Sequence, residues 1–217
     1  MDKHNFTAES VDLKKIEKNA FLIYFQDGIW DMLLGWVLIS FGIAALLYDI
    51  LPIPLNSLFG MILFTFGLIM YFLIKFRIIM PRIGYVKFSP SRKKNTLILG
   101  VAITSFLIIT VVFSILVWTG VISSTVTPGT NMALVFALIP LIIFSVLSFI
   151  LKFPRMFLIG VFFALAMFFT EYWNRSGEDL LGSLAQFFAG IPVFLWGIVY
   201  FIIFLRKYPL PGEANDN

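Results

Sequence analysis

Hydrophobic residues run through this chain in long stretches that are interrupted only by short polar connections. A hydrocarbon core of about 30 Å needs about 20 consecutive apolar residues in a helix that crosses it. Six stretches meet that requirement, near residues 29–48, 56–76, 96–118, 132–151, 155–173 and 184–205. The pattern therefore predicts an all-α fold, a polytopic membrane bundle of six transmembrane helices.

A different pattern precedes the first of these stretches. Across residues 8–26, apolar side chains recur at helical spacing from Val11 to Tyr24, and lysines such as Lys14 fall on the opposite side. This spacing favours an amphipathic helix that lies in the headgroup region of the membrane. The alternative is a first span that begins early, at Ala20.

The composition excludes a soluble protein. Hydrophobic residues make up 60% of the chain, charged residues 13%, and the mean hydropathy is +0.96, whereas ordinary soluble domains contain about 25% charged residues. We therefore divide the chain into three parts. They are a cytoplasmic tail with the interfacial helix at 1–27, a six-span domain at 28–207 and a disordered tail at 208–217.

Basic residues indicate the orientation of the predicted spans. Fifteen of the 16 Lys and Arg residues fall in the N-terminal segment or after the second, fourth and sixth spans, and only Arg175 falls on the opposite side. Basic connections stay preferentially in the cytoplasm. The distribution predicts a multi-pass protein of the plasma membrane with both termini in the cytoplasm.

Glycines in three of the predicted spans are spaced by about two turns of a helix. The pairs are Gly35 and Gly42, Gly60 and Gly67, and Gly190 and Gly197. Small residues on one face let helices approach closely in lipid. We expect the first two spans to pack tightly against each other, and a duplicated ligand site is the alternative.

Two carboxylates mark the start of the first span. Asp27 and Asp31 are four residues apart and therefore face the same side of a helix. Asp31 would lie about one turn inside the membrane, where a carboxylate is costly and normally finds a partner. Lys75, Arg77 and Arg82 leave the membrane at the same face and are the expected partners. A structural salt bridge is favoured, and a site for a cation or a lipid headgroup is the alternative.

The connection after the second span, residues 81–94, interleaves basic and apolar side chains. We expect Pro81 to end that span, and Arg82, Tyr85 and Lys87 to lie at the level of the headgroups. Ordinary topogenic charge explains the basic residues. The alternative is a specific contact with anionic headgroups, to which each basic residue contributes about 1 kcal/mol.

Two motifs in this region form a pair. D-G-x-x-D-x-x-x-G over residues 27–35 and P-R-x-G-Y-V-x-F over residues 81–88 resemble an uncharacterised prokaryotic family of multispan membrane proteins. The resemblance covers about the first ninety residues. It implies a prokaryotic cytoplasmic membrane, supplies no substrate, and implies that the two clusters belong together. Their combined candidate residues are Asp27, Asp31, Arg77, Arg82, Tyr85 and Lys87.

A second polar cluster falls on the outer side, before the sixth span. Glu171 and Arg175 have the spacing of a pair on one helix, and Glu178 and Asp179 follow them. Three carboxylates could bind an external cation. An ordinary solvated loop is the favoured interpretation.

Several chemistries are excluded by the residues that the chain lacks. It has no cysteine, and its single histidine, His4, lies in a polar tail, so we expect neither a thiolate nor an imidazole metal site. We predict no cofactor, metal ligand or catalytic residue. Nucleic acid is not an expected partner, because the basic residues follow a face that phospholipid already occupies.

These features favour a non-enzymatic membrane protein, an accessory or assembly subunit that contacts anionic lipid through its basic cytoplasmic loop. Its expected partners are anionic headgroups and either another protein or further copies of the chain. The alternative is a small homo-oligomeric channel or transporter. Its path would be formed by spans four and six, bent at Pro140 and Pro192, and by the third span, which carries several hydroxyl side chains. A third hypothesis is a lipid-modifying enzyme that uses Asp27 and Asp31 with a divalent cation.

Overall fold

The computed structural model describes residues 26–48, 50–83 and 130–210, and all regular structure within those ranges is helical. Five long helices account for most of it. They are α1 (Ile29–Leu46), α2 (Ile53–Ile74), α3 (Thr130–Leu151), α4 (Arg155–Arg175) and α5 (Asp179–Lys207).

Each of these five helices is long and apolar enough to cross a membrane. They correspond to the first, second, fourth, fifth and sixth predicted spans. The protein is therefore an all-α, multi-pass membrane protein. The predicted third span lies outside the described residues, as do the interfacial helix except for Gln26 and the chain after residue 210.

The second helix continues further than the sequence suggested. Beyond α2 a π-helical turn, Lys75–Ile79, leads into a last α-helical turn, Met80–Ile83, so the prediction that Pro81 ends the span is wrong. A proline has no N–H and its ring collides with the carbonyl four residues back. The π turn bonds the Met80 N–H to the Lys75 carbonyl, five residues back, and so shifts the pairing just before the proline.

Glycines determine how closely α1 lies against α5, and this is the most extensive helix contact in the described residues. A Cβ at Gly42 would lie 2.6 Å from the Phe187 nitrogen, and a Cβ at Gly190 would lie 2.8 Å from the Gly35 carbonyl oxygen. The first two spans do pack against each other, as predicted, but through Gly67, where a Cβ would collide with the Trp36 ring of α1. Gly35 and Gly42 face α5 instead, so the prediction is wrong for these two residues. Spacing along one helix shows which residues share a face but does not identify the neighbouring helix.

An apolar cluster at one end of the bundle joins α1, α2 and α5. Ile29, Tyr71, Ile79 and Phe204 are all buried in it. Lys75 lies midway between Tyr71 and Ile79 on the same helix face and is buried with them, only 2% exposed. An ammonium group in that position requires an anionic partner nearby.

Candidate functional site at the basic end of the bundle

We call the basic end of the bundle the end at which α1 begins, the α3–α4 turn lies, and α2 and α5 finish. Seven of the eight Lys and Arg residues that the structure describes lie there, against two carboxylates. The basic residues are Lys75, Arg77, Arg82, Lys152, Arg155, Arg206 and Lys207. Among the same described residues, the opposite end carries Arg175 and three carboxylates, so the described parts of the two ends have opposite net charge.

Asp27 both starts α1 and binds α2. Its side chain is fully buried: Oδ1 accepts a hydrogen bond from the Ile29 N–H at 3.0 Å, and Oδ2 forms an ion pair with the Lys75 Nζ. Burial raises the pKa of the Asp27 carboxyl, and the adjacent Lys75 ammonium opposes that rise. The ion pair therefore satisfies the buried Lys75 and fixes the start of α1 to the π-helical turn that follows α2.

Gly28 makes this start of α1 sterically feasible. Its φ of +79° lies in the left-handed region, which favours glycine. A Cβ there would also lie 2.7 Å from the backbone nitrogen of Phe201 in α5. The D-G pair thus combines a carboxylate that binds α2 with a glycine that admits α5.

Asp31 forms the second buried ion pair, with Arg155 at the start of α4. Arg155 Nη1 lies 2.9 Å from Asp31 Oδ2, and the two side chains are 13% and 1% exposed. No donor among the described residues reaches Asp31 Oδ1. The Arg155 guanidinium also lies over two rings, 3.7 Å from the Tyr200 centroid and 4.6 Å from the Phe153 centroid. Aromatic faces therefore hold the cation on two sides.

The partner expected for Asp31 was wrong, although a salt bridge does form. Lys75 pairs with Asp27 instead, and Arg82 Nη1 donates to the Tyr208 carbonyl at 2.8 Å and the Leu205 carbonyl at 3.4 Å. These carbonyls end α5 and have no partner within that helix. Arg82 therefore caps α5 and binds the second helix to the last.

The other predicted residues of this cluster have different positions. Arg77 is exposed and pairs with none of the described carboxylates. Tyr85 and Lys87 lie outside the described residues. The structure thus brings Asp27, Asp31 and Arg82 to the same end of the bundle. Their partners differ: Asp27 binds Lys75, Asp31 binds Arg155 of α4, and Arg82 binds the end of α5.

Arg155 is the residue that sequence reasoning missed, because it was counted only as a basic residue in a short turn. It is the first residue of α4, where the helix dipole disfavours a cation. A cation at a helix N-terminus therefore signals a compensating partner. Tyr200 had a weaker signal, since it follows the closely packed Gly197 by about one turn of α5.

A cavity of about 340 Å³ opens beside Arg155. Gln26, the α3–α4 turn and the C-terminal end of α5 line it, and the described lining residues include no carboxylate. The lining includes Gln26, Phe153, Arg155, Tyr200, Lys207 and Tyr208. Its polar groups are therefore mainly donors or cations, which suit an anion.

The outer cluster is arranged differently. Arg175 pairs with Glu171 on the last turn of α4, and both side chains are partly exposed. Glu178 immediately precedes α5 and Asp179 is its first residue, where the helix dipole favours an acidic side chain. Within the described ranges, no three His, Cys, Asp or Glu residues form a group that could hold a metal ion.

Comparisons with family models, curated proteins and solved structures find no match to this chain. The resemblance of the two motifs to a multispan prokaryotic family therefore stays a prediction. The fold and the site define the class of the protein, a multi-pass helical membrane protein with buried ion pairs at its basic end.

Proposed function

We propose that this chain is a non-enzymatic accessory or assembly subunit of a plasma membrane and that its basic end contacts anionic lipid on the cytoplasmic side. The observation that carries the proposal is the charge pattern of that end. Each of its two carboxylates forms an ion pair, Asp27 with Lys75 and Asp31 with Arg155. Five basic side chains have no carboxylate partner among the described residues. They are Arg77, Arg82, Lys152, Arg206 and Lys207.

This excess positive charge lies where the apolar parts of the helices end. Basic residues at that level are attracted to anionic headgroups, each by about 1 kcal/mol. Arg77, Lys152, Arg206 and Lys207 are exposed and are free to meet headgroups or an acidic surface of another membrane protein. The chemistry therefore suits attachment better than turnover.

The two carboxylates of the third hypothesis, an enzyme, have structural roles that account for them. Asp27 is fully buried, caps the first turn of α1 and binds Lys75. Asp31 binds Arg155 across to α4. Each one connects α1 to a different helix, which supports a role in holding the bundle together rather than in acid–base chemistry.

The first test is to extract the protein gently from its native membrane and record its native mass spectrum. We expect a mass that includes a second protein or retained anionic phospholipid. Arg77→Gln should reduce the amount of phospholipid or partner protein that is retained, because Arg77 is exposed at the basic end. Arg175→Gln is the matched control at the opposite end and should retain as much as the unchanged protein.

A different result would favour the alternative function. A homo-oligomer without retained lipid that conducts ions or solutes in proteoliposomes would identify a channel or transporter and overturn the proposal. Variants at Pro192, inside α5, should then alter the flux.

A further inference from the structure

The cavity at the basic end has the size and lining of a ligand site. Its volume of about 340 Å³ falls in the range of small-molecule pockets, roughly 300–1,000 Å³. The cavity combines apolar walls, from side chains such as Phe153 and Phe204, with a few polar groups that converge on it. Sites with that division hold a ligand by its shape and orient it through its polar atoms.

Arg155 is positioned in advance for an anion. Its guanidinium is fixed between Asp31, Tyr200 and Phe153, yet Nη1 makes its only hydrogen bond with the described residues. The remaining N–H groups of a guanidinium match the spacing of phosphate oxygens. The binding of an anion would therefore require little further ordering of this side chain.

Lys207 supplies the net charge of the site. Asp31 offsets the charge of Arg155, so the exposed Lys207 adds a positive charge that no described carboxylate balances. Its Nζ lies 5.6 Å from the centroid of the Tyr208 ring. The site therefore suits a ligand with a single negative charge, such as a phosphodiester.

The surroundings favour a lipid over a free ion. Ile203, which lines the cavity, is 51% exposed, and Val199, one turn earlier on α5, is 54% exposed. These side chains continue the cavity onto the apolar surface of a helix that crosses the membrane. A molecule bound there would meet basic groups at one end and a hydrocarbon-facing surface at the other.

We infer that this cavity binds the phosphodiester headgroup of an anionic phospholipid, with Arg155 and Lys207 on the phosphate and the acyl chains along α5. The inference rests on the proposed lipid contact of the basic end and narrows it to one site. Tyr200 acts as a positioning residue, because its ring holds the Arg155 guanidinium at the wall of the cavity.

The test uses the full-length protein in nanodiscs that contain phosphatidylcholine with or without phosphatidylglycerol. Native mass spectrometry counts retained lipid, and thermal unfolding reports stabilisation by phosphatidylglycerol. Lys207→Gln should lower the retention of phosphatidylglycerol by more than the roughly fivefold that one basic residue contributes at any anionic surface, and Arg206→Gln should lower it by no more than that. Arg206→Gln is the matched control, since Arg206 is the adjacent exposed cation and does not line the cavity.

Lys207 is exposed, so its replacement should leave the unfolding midpoint in pure phosphatidylcholine unchanged. Tyr200→Leu should also reduce retention, and Arg155→Lys should reduce it while keeping a charge beside Asp31. An equal loss in Lys207→Gln and Arg206→Gln would show that charge alone attracts lipid; this inference would fail while the proposed function stands. No preference for phosphatidylglycerol in the unchanged protein would overturn both.

A separate arm distinguishes the two sources of the phosphate. Inorganic phosphate and glycerol phosphate are titrated onto the protein in pure phosphatidylcholine. We expect no stabilisation at concentrations that match the phosphatidylglycerol arm. Stabilisation of equal size, lost in Lys207→Gln, would identify a soluble phosphate as the occupant and overturn the assignment to lipid.

Discussion

The turns at the two ends of α4 use the same hydrogen bonds but different residues. At the basic end the Phe153 N–H bonds to the Ser148 carbonyl at 3.0 Å, and at the opposite end the Glu178 N–H bonds to the Trp173 carbonyl at 2.9 Å. Both are six-residue closures of a helix C-terminus, which place one residue in the left-handed conformation.

The residue at that left-handed position is where the turns differ. It is Gly177, with φ of +79°, at the opposite end, but Lys152, with φ of +52°, at the basic end. A side chain there costs about 1–2 kcal/mol relative to the right-handed conformation, and glycine avoids that cost. The basic end therefore holds an exposed cation at a position where its backbone is strained, which is consistent with a role for positive charge at that surface.

The ion pairs of the two ends also differ, because the side chains paired at the basic end are more deeply buried. The Lys75–Asp27 side chains are 2% and 0% exposed, whereas those of Arg175 and Glu171 are 28% and 23% exposed. A buried charge that loses its partner cannot be rescued by water. The basic end is thus the part of the molecule in which a single substitution has the largest expected effect on folding.

The largest predicted effect comes from breaking the buried pair. Lys75→Met should lower the free energy of unfolding by about 3–5 kcal/mol, because Asp27 would remain buried without its cation. Reversible unfolding in mixed micelles measures the change. The control at the opposite end, Arg175→Met, should cost no more than about 0.5 kcal/mol.

The double variant Asp27→Asn with Lys75→Met sharpens this result. It removes both charges and keeps a side-chain oxygen for the Ile29 N–H, so it should recover most of the loss caused by Lys75→Met alone. If the double variant were as unstable as the single one, the cost would come from packing at Lys75 rather than from an unpaired carboxylate.

The next prediction compares alanine substitutions at Gly28 and Gly177, two glycines with the same φ of +79°. Gly28→Ala should cost about 1–2 kcal/mol for its backbone conformation, and about 1–3 kcal/mol more because the new Cβ meets α5. Gly177→Ala should carry only the backbone cost, since none of the described residues lies within 4 Å of a Cβ there. Equal losses in the two variants would contradict the close approach of α1 and α5.

Lipid explains why the sequence predicted the described spans well. Each crossing needs a long apolar stretch, and such stretches can be read without knowing which helices touch. The concentration of basic residues at one end was also visible from the sequence. Which side of the membrane that end faces, and whether the bundle has a sixth span, stay predictions.

The pairing of residues could not be predicted for a physical reason. Arg155 and Asp31 are 124 positions apart in the chain. Asp31 pairs with Arg155 rather than with Lys75 because of which helices are neighbours. Periodicity identifies the face on which Asp31 and Gly35 lie, but not that this side of α1 meets α4 and α5. The cavity could not be foreseen either, because its walls come from separate parts of the chain.

The smallest predicted effect comes from replacing Lys152, the strained residue of the turn at the basic end, by glycine, the residue at the same place in the turn at the opposite end. Lys152→Gly should relieve about 1–2 kcal/mol of backbone strain but lose about 0.4–1 kcal/mol through the more flexible unfolded chain. The net gain in stability in phosphatidylcholine should therefore be about 1 kcal/mol or less, measured by reversible unfolding.

The same variant should gain less stability from phosphatidylglycerol than the unchanged protein, because one exposed cation of the basic end is gone. Lys152→Gly thus reports two effects separately: the cost of the backbone conformation in phosphatidylcholine, and the contribution of the surface charge in phosphatidylglycerol. A loss of stability in phosphatidylcholine would mean that the Lys152 side chain itself holds the turn. An unaltered response to phosphatidylglycerol would mean that this cation does not meet the headgroups, which would confine lipid contact to the α5 side of the basic end.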